Sequence, residues 1–250
     1  IMNKMDLLLK ANDLRTRFGE DFKSPVDIMS LAHSIDNLTI VLYPMGEHLS
    51  GMCIKSNDNP VIAINSGMSM GRQHFSMAHE LFHLYYDKST TSICSKKIGY
   101  GKEIEKQADQ FASYFLIPPN ALKDKIKQLK IDRERTLSIE DIVKIEQYFM
   151  VSRQAILFRL IEDNEISIHD VEEMKQNVIQ SATCFGYSDT LYKPLPESKQ
   201  YMTYGYLIKQ TNEAYKSKLI STGKYNEILL SAFRADIVYG TEEEEEEIVD

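Results

Sequence analysis

The sequence predicts an α+β fold in which helices surround a small antiparallel sheet and a further helical region follows. Three observations carry this. Apolar residues recur at helical spacing through most of the chain, and one stretch at 38–65 switches to short runs rich in Ile and Val. The composition, 43% hydrophobic and 26% charged with only 11 Gly and 7 Pro in 250 residues, is that of an ordinary globular protein.

Taken in order, Leu7, Leu8, Ala11, Leu14 and Phe18 predict a helix over 6–18 that Gly19 can end. Ser24, Pro25 and Asp27 supply the cap, the first-turn proline and a first-turn acid for a second helix with Ile28, Leu31, Ala32 and Ile35 inward. His33 lies on that helix without a chemical partner. The runs LTIVLY, LSGMCIK and PVIAIN, separated by Pro44, Gly46 and SNDNP, predict a meandering sheet. Helices at 69–86 and 102–117 follow, joined by a loop over 88–101, and Pro118 with Pro119 stops the second.

A Lys-rich helix at 120–130 comes next, then two short helices in 134–163, where Ser138 and Asp141 form a capping box and Ser152 caps the second helix. The turn-rich FGYSDTLYKPLPES marks a boundary before helices at 199–216 and 222–238. The chain therefore divides into a main domain at 1–180, with a helix-turn-helix-like subregion at 134–163, and a helical region at 181–241. An acidic tail at 242–250, solvated and disordered, ends it.

That tail supplies seven of the negative charges behind the net −8, so the charge says little about partners. Cys53, Cys94 and Cys184 are odd in number and form no CxxC pair, which fits a reducing compartment. The apolar run near the start stops at Leu9, and no stretch approaches the ~20 apolar residues of a membrane span. The expectation is a cytoplasmic protein that does not engage a membrane.

The chemistry concentrates in GRQHFSMAHELFHLYY. On a helix, His79 and His83 project from one face a turn apart, close enough to hold one metal ion, while Glu80 is placed to take a proton from water at that ion. Catalytic zinc needs a third protein ligand. The helix GKEIEKQADQFASYFLIPP offers Glu105 at the rim of a stripe formed by Ile104, Ala108, Phe111, Ala112 and Phe115. Asp109, one turn on, can orient a histidine N–H. Glu103 competes as a ligand but points elsewhere on the helix.

Together, RQHFSMAHEL and EKQADQFASYFLIP resemble the ImmA/IrrE family of metallopeptidases, with Arg72, Phe75, Ala78, Phe111, Ala112 and Pro118 matching beside the metal residues. The resemblance covers about 25–165. It implies a zincin-like domain with zinc on His79, His83 and Glu105, and Glu80 as catalytic acid and base. It also implies a protein substrate, a helix-turn-helix transcriptional repressor. Two departures are visible: Phe82 where many members have Gly, and Asp87 where many have His, neither expected to touch a ligand. The LSGMCIK strand, with Gly51, is the expected edge along which a peptide lies. For the oxyanion, His74, Tyr85, Tyr100, Tyr114 and a residue of the C-terminal region stay open. His48 and His169 read as surface residues.

Two other readings compete. The helix pair at 134–163 suggests a DNA-binding regulator, yet residues 123–159 hold nine Lys/Arg against six Asp/Glu, a thin footprint for phosphates, so direct binding of nucleic acid is not expected. A partner-binding protein that keeps the zinc site without catalysis is the other. Oligomeric state is not legible.

Overall fold

A computed structural model describes residues 2–56, 58–95, 97–130 and 136–240. The chain opens with α1 (Lys4–Arg17), whose N-terminus is closed by a capping box between Asn3 and Asp6, and α2 (Ile28–His33), capped by the Asp27 side chain. Strands β1 (Thr39–Tyr43), β2 (Leu49–Ile54) and β3 (Val61–Asn65) follow, then the long helix α3 (Met70–Tyr86). A short strand β4 (Thr91–Ser95) separates it from α4 (Glu103–Leu116). Pro118 and Pro119 end α4 and begin α5 (Pro119–Leu129), because a proline lacking its N–H is tolerated only in a first turn.

Helices α6 (Ile139–Phe149) and α7 (Arg153–Glu162) turn at Met150, which sits in the left-handed region with φ 54°. Beyond them come α8 (Ile168–Met174), α9 (Val178–Cys184), strand β5 (Met202–Gly205), α10 (Tyr206–Lys216), α11 (Thr222–Ser231) and α12 (Ala235–Tyr239).

The α+β class is as expected, but the sheet is mixed rather than antiparallel, in the order β4-β2-β3-β1-β5. β1 and β3 run parallel, with Thr39 opposite Val61, because the chain leaves β1, skips one position to lay down β2, and returns as β3 in the gap. Asn65 holds that crossing: its amide donates to the carbonyls of Gly46 (2.7 Å) and Leu49 (2.6 Å), while its oxygen accepts from Met45 N (3.1 Å).

Both outer strands lie where the sequence reading placed none. β4 falls inside the expected 88–101 loop and pairs antiparallel with β2, so LSGMCIK is an inner strand and not the edge. β5 takes the start of the expected 199–216 helix and pairs antiparallel with β1. Gly205 makes that pairing possible, since a Cβ there would lie 2.2 Å from the Leu38 carbonyl oxygen. The expected 222–238 helix is broken between α11 and α12 by Phe233, at φ 60°. The acidic tail at 242–250 and the first residues of the 134–163 subregion lie outside the described residues.

α3 packs between the sheet and α4, and α1 covers the far side of α4. Ala108 and Ala112 are fully buried and let α3 and α4 approach closely, as their size predicted. Along the seam, the Phe111 ring lies 5.5 Å from both Phe82 and Tyr86 and 5.8 Å from Phe115. Burying each such ring contributes roughly 1.5–3 kcal/mol. Arg15 is buried beside them and donates to the carbonyls of Asp21, Ser24 and Phe115, tying α1 to the end of α4. This seam fixes the orientation of the two helices that carry the site.

Candidate metal centre

His79, Glu80 and His83 occupy the middle of α3, and Glu105 and Asp109 occupy the first two turns of α4. The structure brings all five together. The Asp109 carboxylate accepts from His79 Nδ1 at 2.8 Å and from Gly99 N at 2.6 Å, so the orienting group expected for a histidine is in contact with one. Glu103 is exposed at the start of α4 and is not among the grouped donors.

His83 has a carboxylate of its own. Its Nδ1 donates to Asp87 at 2.9 Å, and Asp87 is held by Ser89 N at 3.1 Å. The expectation that position 87 touches no ligand-type residue is therefore corrected: four residues on from His83, at the end of α3, its carboxylate reaches the ring. Phe82 also meets His83, ring edge to face at 5.7 Å.

These contacts fix the tautomers. An ionised carboxylate only accepts, so both Nδ1 atoms carry the proton and both Nε2 atoms of neutral rings are bare. The two Nε2 atoms lie 3.1 Å apart, and Glu105 presents its oxygens 3.3 Å from His79 Nε2 and 3.6 Å from His83 Nε2. With both rings neutral, three acceptors converge, an arrangement that repels itself unless a proton or a metal cation sits among them. Zinc bonds of about 2.0–2.1 Å arranged tetrahedrally put donors about 3.3 Å apart, which matches these separations.

A fourth donor completes the group. Cys94 of β4 is fully buried and its sulfur lies with the His79, His83 and Glu105 donor atoms, all within 4.8 Å of one another, a set that could hold a metal ion. The sequence reading set the cysteines aside because none is paired in a CxxC. TSICS itself carries no signal, since its apolar residues Ile93 and Cys94 are adjacent, and the alternation that turns Ser92 and Cys94 to the same side appears only once the strand is paired.

Glu80 is 0% exposed and lies between α3 and the sheet. Ser92 Oγ donates to its Oε2 at 3.2 Å, while Oε1 has no hydrogen-bond partner among the described residues. A Cβ at Gly51 would stand 2.9 Å from that Oε1 and 3.0 Å from the Ala63 carbonyl oxygen, so glycine is what leaves room for the carboxylate under β2. Burial raises the Glu80 pKa to about 7, where a carboxylate can both take and return a proton near neutrality. Burial works against a charged His79, but Asp109, Cys94 and Glu105 outweigh it and hold the imidazole well above its usual range. His83 is pushed down, by burial first and then by the His79 charge. Burial pushes the Cys94 thiol up.

Of the oxyanion candidates, His74 is engaged with the Met150 carbonyl at 2.8 Å, Tyr114 lies under the Arg159 guanidinium, and Tyr85 packs on Phe18. Tyr100 alone belongs to the segment bordering the cluster, between Gly99, which donates to Asp109, and Gly101, which faces Glu105.

Residues 36–161, half of the chain, match the family model described as the IrrE N-terminal-like domain. No curated protein matches the chain.

Proposed function

The chain belongs to the peptidase family of the IrrE N-terminal-like domain, and from that membership we propose a zinc-dependent endopeptidase that cleaves a helix-turn-helix repressor. One observation carries the metal: two Nε2 atoms 3.1 Å apart, on rings whose Nδ1 atoms are each bonded to a carboxylate, with the Glu105 carboxylate beside them. His79, His83 and Glu105 hold the ion, and Asp109 and Asp87 hold the rings. When bound, zinc polarises the scissile carbonyl and acidifies water.

The chain's own groups do the rest. Glu80 takes a proton from the attacking water and returns it to the leaving amine, with Ser92 fixing one of its oxygens. Tyr100 donates to the oxygen that gains charge. The substrate backbone pairs with β4, an edge strand with no further strand beyond it among the described residues. Ile93, on its outer side, is 59% exposed and offers an apolar contact to that peptide.

The DNA-binding alternative fits less well. On α7, the helix that would enter a groove, Arg153 and Arg159 are both buried. Arg153 is bonded to the buried Glu146, which also accepts from Tyr192 at 2.8 Å. Those cations are not available to phosphates. No helix among the described residues is long and apolar enough to cross a membrane.

The test is incubation of the full chain with a small helix-turn-helix protein encoded beside it, with and without a chelator, reading fragments by mass spectrometry. Cleavage at one site that stops on chelation and returns with zinc is expected. Cleavage that survives chelation would remove the metal from the reaction.

A further inference from the structure

We propose that Cys94 is a fourth protein ligand of the metal centre and that this conformation is the closed, latent form of the peptidase. The inference rests on the reading of His79, His83 and Glu105 as a zinc centre and adds to it how the centre is regulated.

The argument begins with β4. Its five residues alternate between exposed and buried, and the two buried ones, Ser92 and Cys94, both reach the site. Ser92 bonds Glu80, and Cys94 places its sulfur among the histidine and glutamate donors. Cys94 stands opposite Gly51 across the β2–β4 pairing, so the strand pair is held down on α3 with no side chain between sheet and cluster at that point. Two imidazoles, a carboxylate and a thiolate would supply four protein ligands, the number that closes structural zinc sites. Catalytic sites hold three protein ligands and keep the fourth position for water. With Cys94 bound, its proton released to solvent, that position is filled by protein and Glu80 has no water to act on.

The thiolate belongs to a strand that is itself mobile in principle. Among the described residues β4 pairs with one neighbour, and β2–β4 carries a register shift between Leu49 and Gly51. Lifting β4 by a few ångströms withdraws the sulfur while leaving His79, His83 and Glu105 in place, because α3 and α4 are held by their own seam and by the packing of α3 on β2 and β3.

The experiment uses the full chain stripped of metal and titrated with cobalt(II). One equivalent is expected to bind with a near-ultraviolet thiolate-to-cobalt charge-transfer band, and zinc is expected to slow alkylation of Cys94 while the exposed Cys184 reacts at an unchanged rate. Cys94→Ser should bind one cobalt without the band. Its zinc affinity should fall by at least the roughly 10–100-fold that loss of a mere orienting partner costs. One equivalent of cobalt with no such band and no zinc protection of Cys94 would overturn the thiolate ligand while leaving the three-residue centre standing. No cobalt or zinc bound at all would overturn both. The wild-type spectrum and alkylation rates decide the matter even if the variant fails to fold.

Discussion

The site has two walls of different make. The helical wall, α3 with α4, supplies His79, His83, Glu105 and Asp109 from two helices locked by Phe82, Phe111 and Phe115. The strand wall, β2 with β4, supplies Ser92 and Cys94 from a strand whose outer face is open. A rigid wall suits groups whose spacing must stay constant, and a wall with one neighbour suits groups that must move. On the proposed reading, the difference separates metal capture from access to it.

The sharpest way to break that division is Glu80→Gln, which removes the proton acceptor between the walls and leaves every donor. Cleavage should fall by about 10²–10⁴-fold with one zinc still bound, measured by single-turnover assay and metal analysis. Undiminished cleavage would take Glu80 out of the reaction. Next are the carboxylates behind the rings: Asp109→Asn and Asp87→Asn should each weaken zinc about 10–100-fold by competition with a chromophoric chelator. Asp109, buried and held also by Gly99, should cost more than Asp87 at the helix end, and the reverse order would place the firmer support on the wrong histidine.

On the strand side, Gly51→Ala forces a methyl onto the Glu80 carboxylate and the Ala63 carbonyl, and should destabilise by about 1–3 kcal/mol in urea denaturation. A neutral outcome would show that the sheet is looser over the site than the packing indicates. The smallest effect is expected at Ile93→Thr, which keeps a β-branched residue on the outer face of β4. Stability should change by less than about 0.5 kcal/mol while KM for the protein substrate rises. An unchanged KM would move the peptide off this strand.

The same division explains what was legible in the sequence. The helical wall could be read because helix geometry is local: His79, Glu80 and His83 are fixed by their spacing, and Asp109 lies one turn from Glu105. The seam was legible in its small and aromatic residues. The strand wall was not. β4 is five residues of Thr, Ser, Ile and Cys whose burial depends on pairing with Gly51, some forty residues earlier, and nothing in its own composition separates it from a loop. Cys94 was hidden for the same reason. Asp87 is a different case, since its spacing from His83 was visible, but it was weighed as a departure from a family pattern and not as a neighbour one turn along. The parallel β1–β3 pair was missed because three runs in succession suggest a meander, and only the Asn65 bonds to the crossing loop show the skipped position.

Gly205 and β5 have a bearing on how this chain comes off the ribosome. The strand that covers β1 is the last to be synthesised, after some 160 residues have emerged since its partner. Until then β1 presents bare amides and carbonyls to whatever is nearby, including other nascent copies. A piece cut at residue 161 would retain every group of the centre yet keep that raw border permanently, and it should clump where the 250-residue chain stays dispersed.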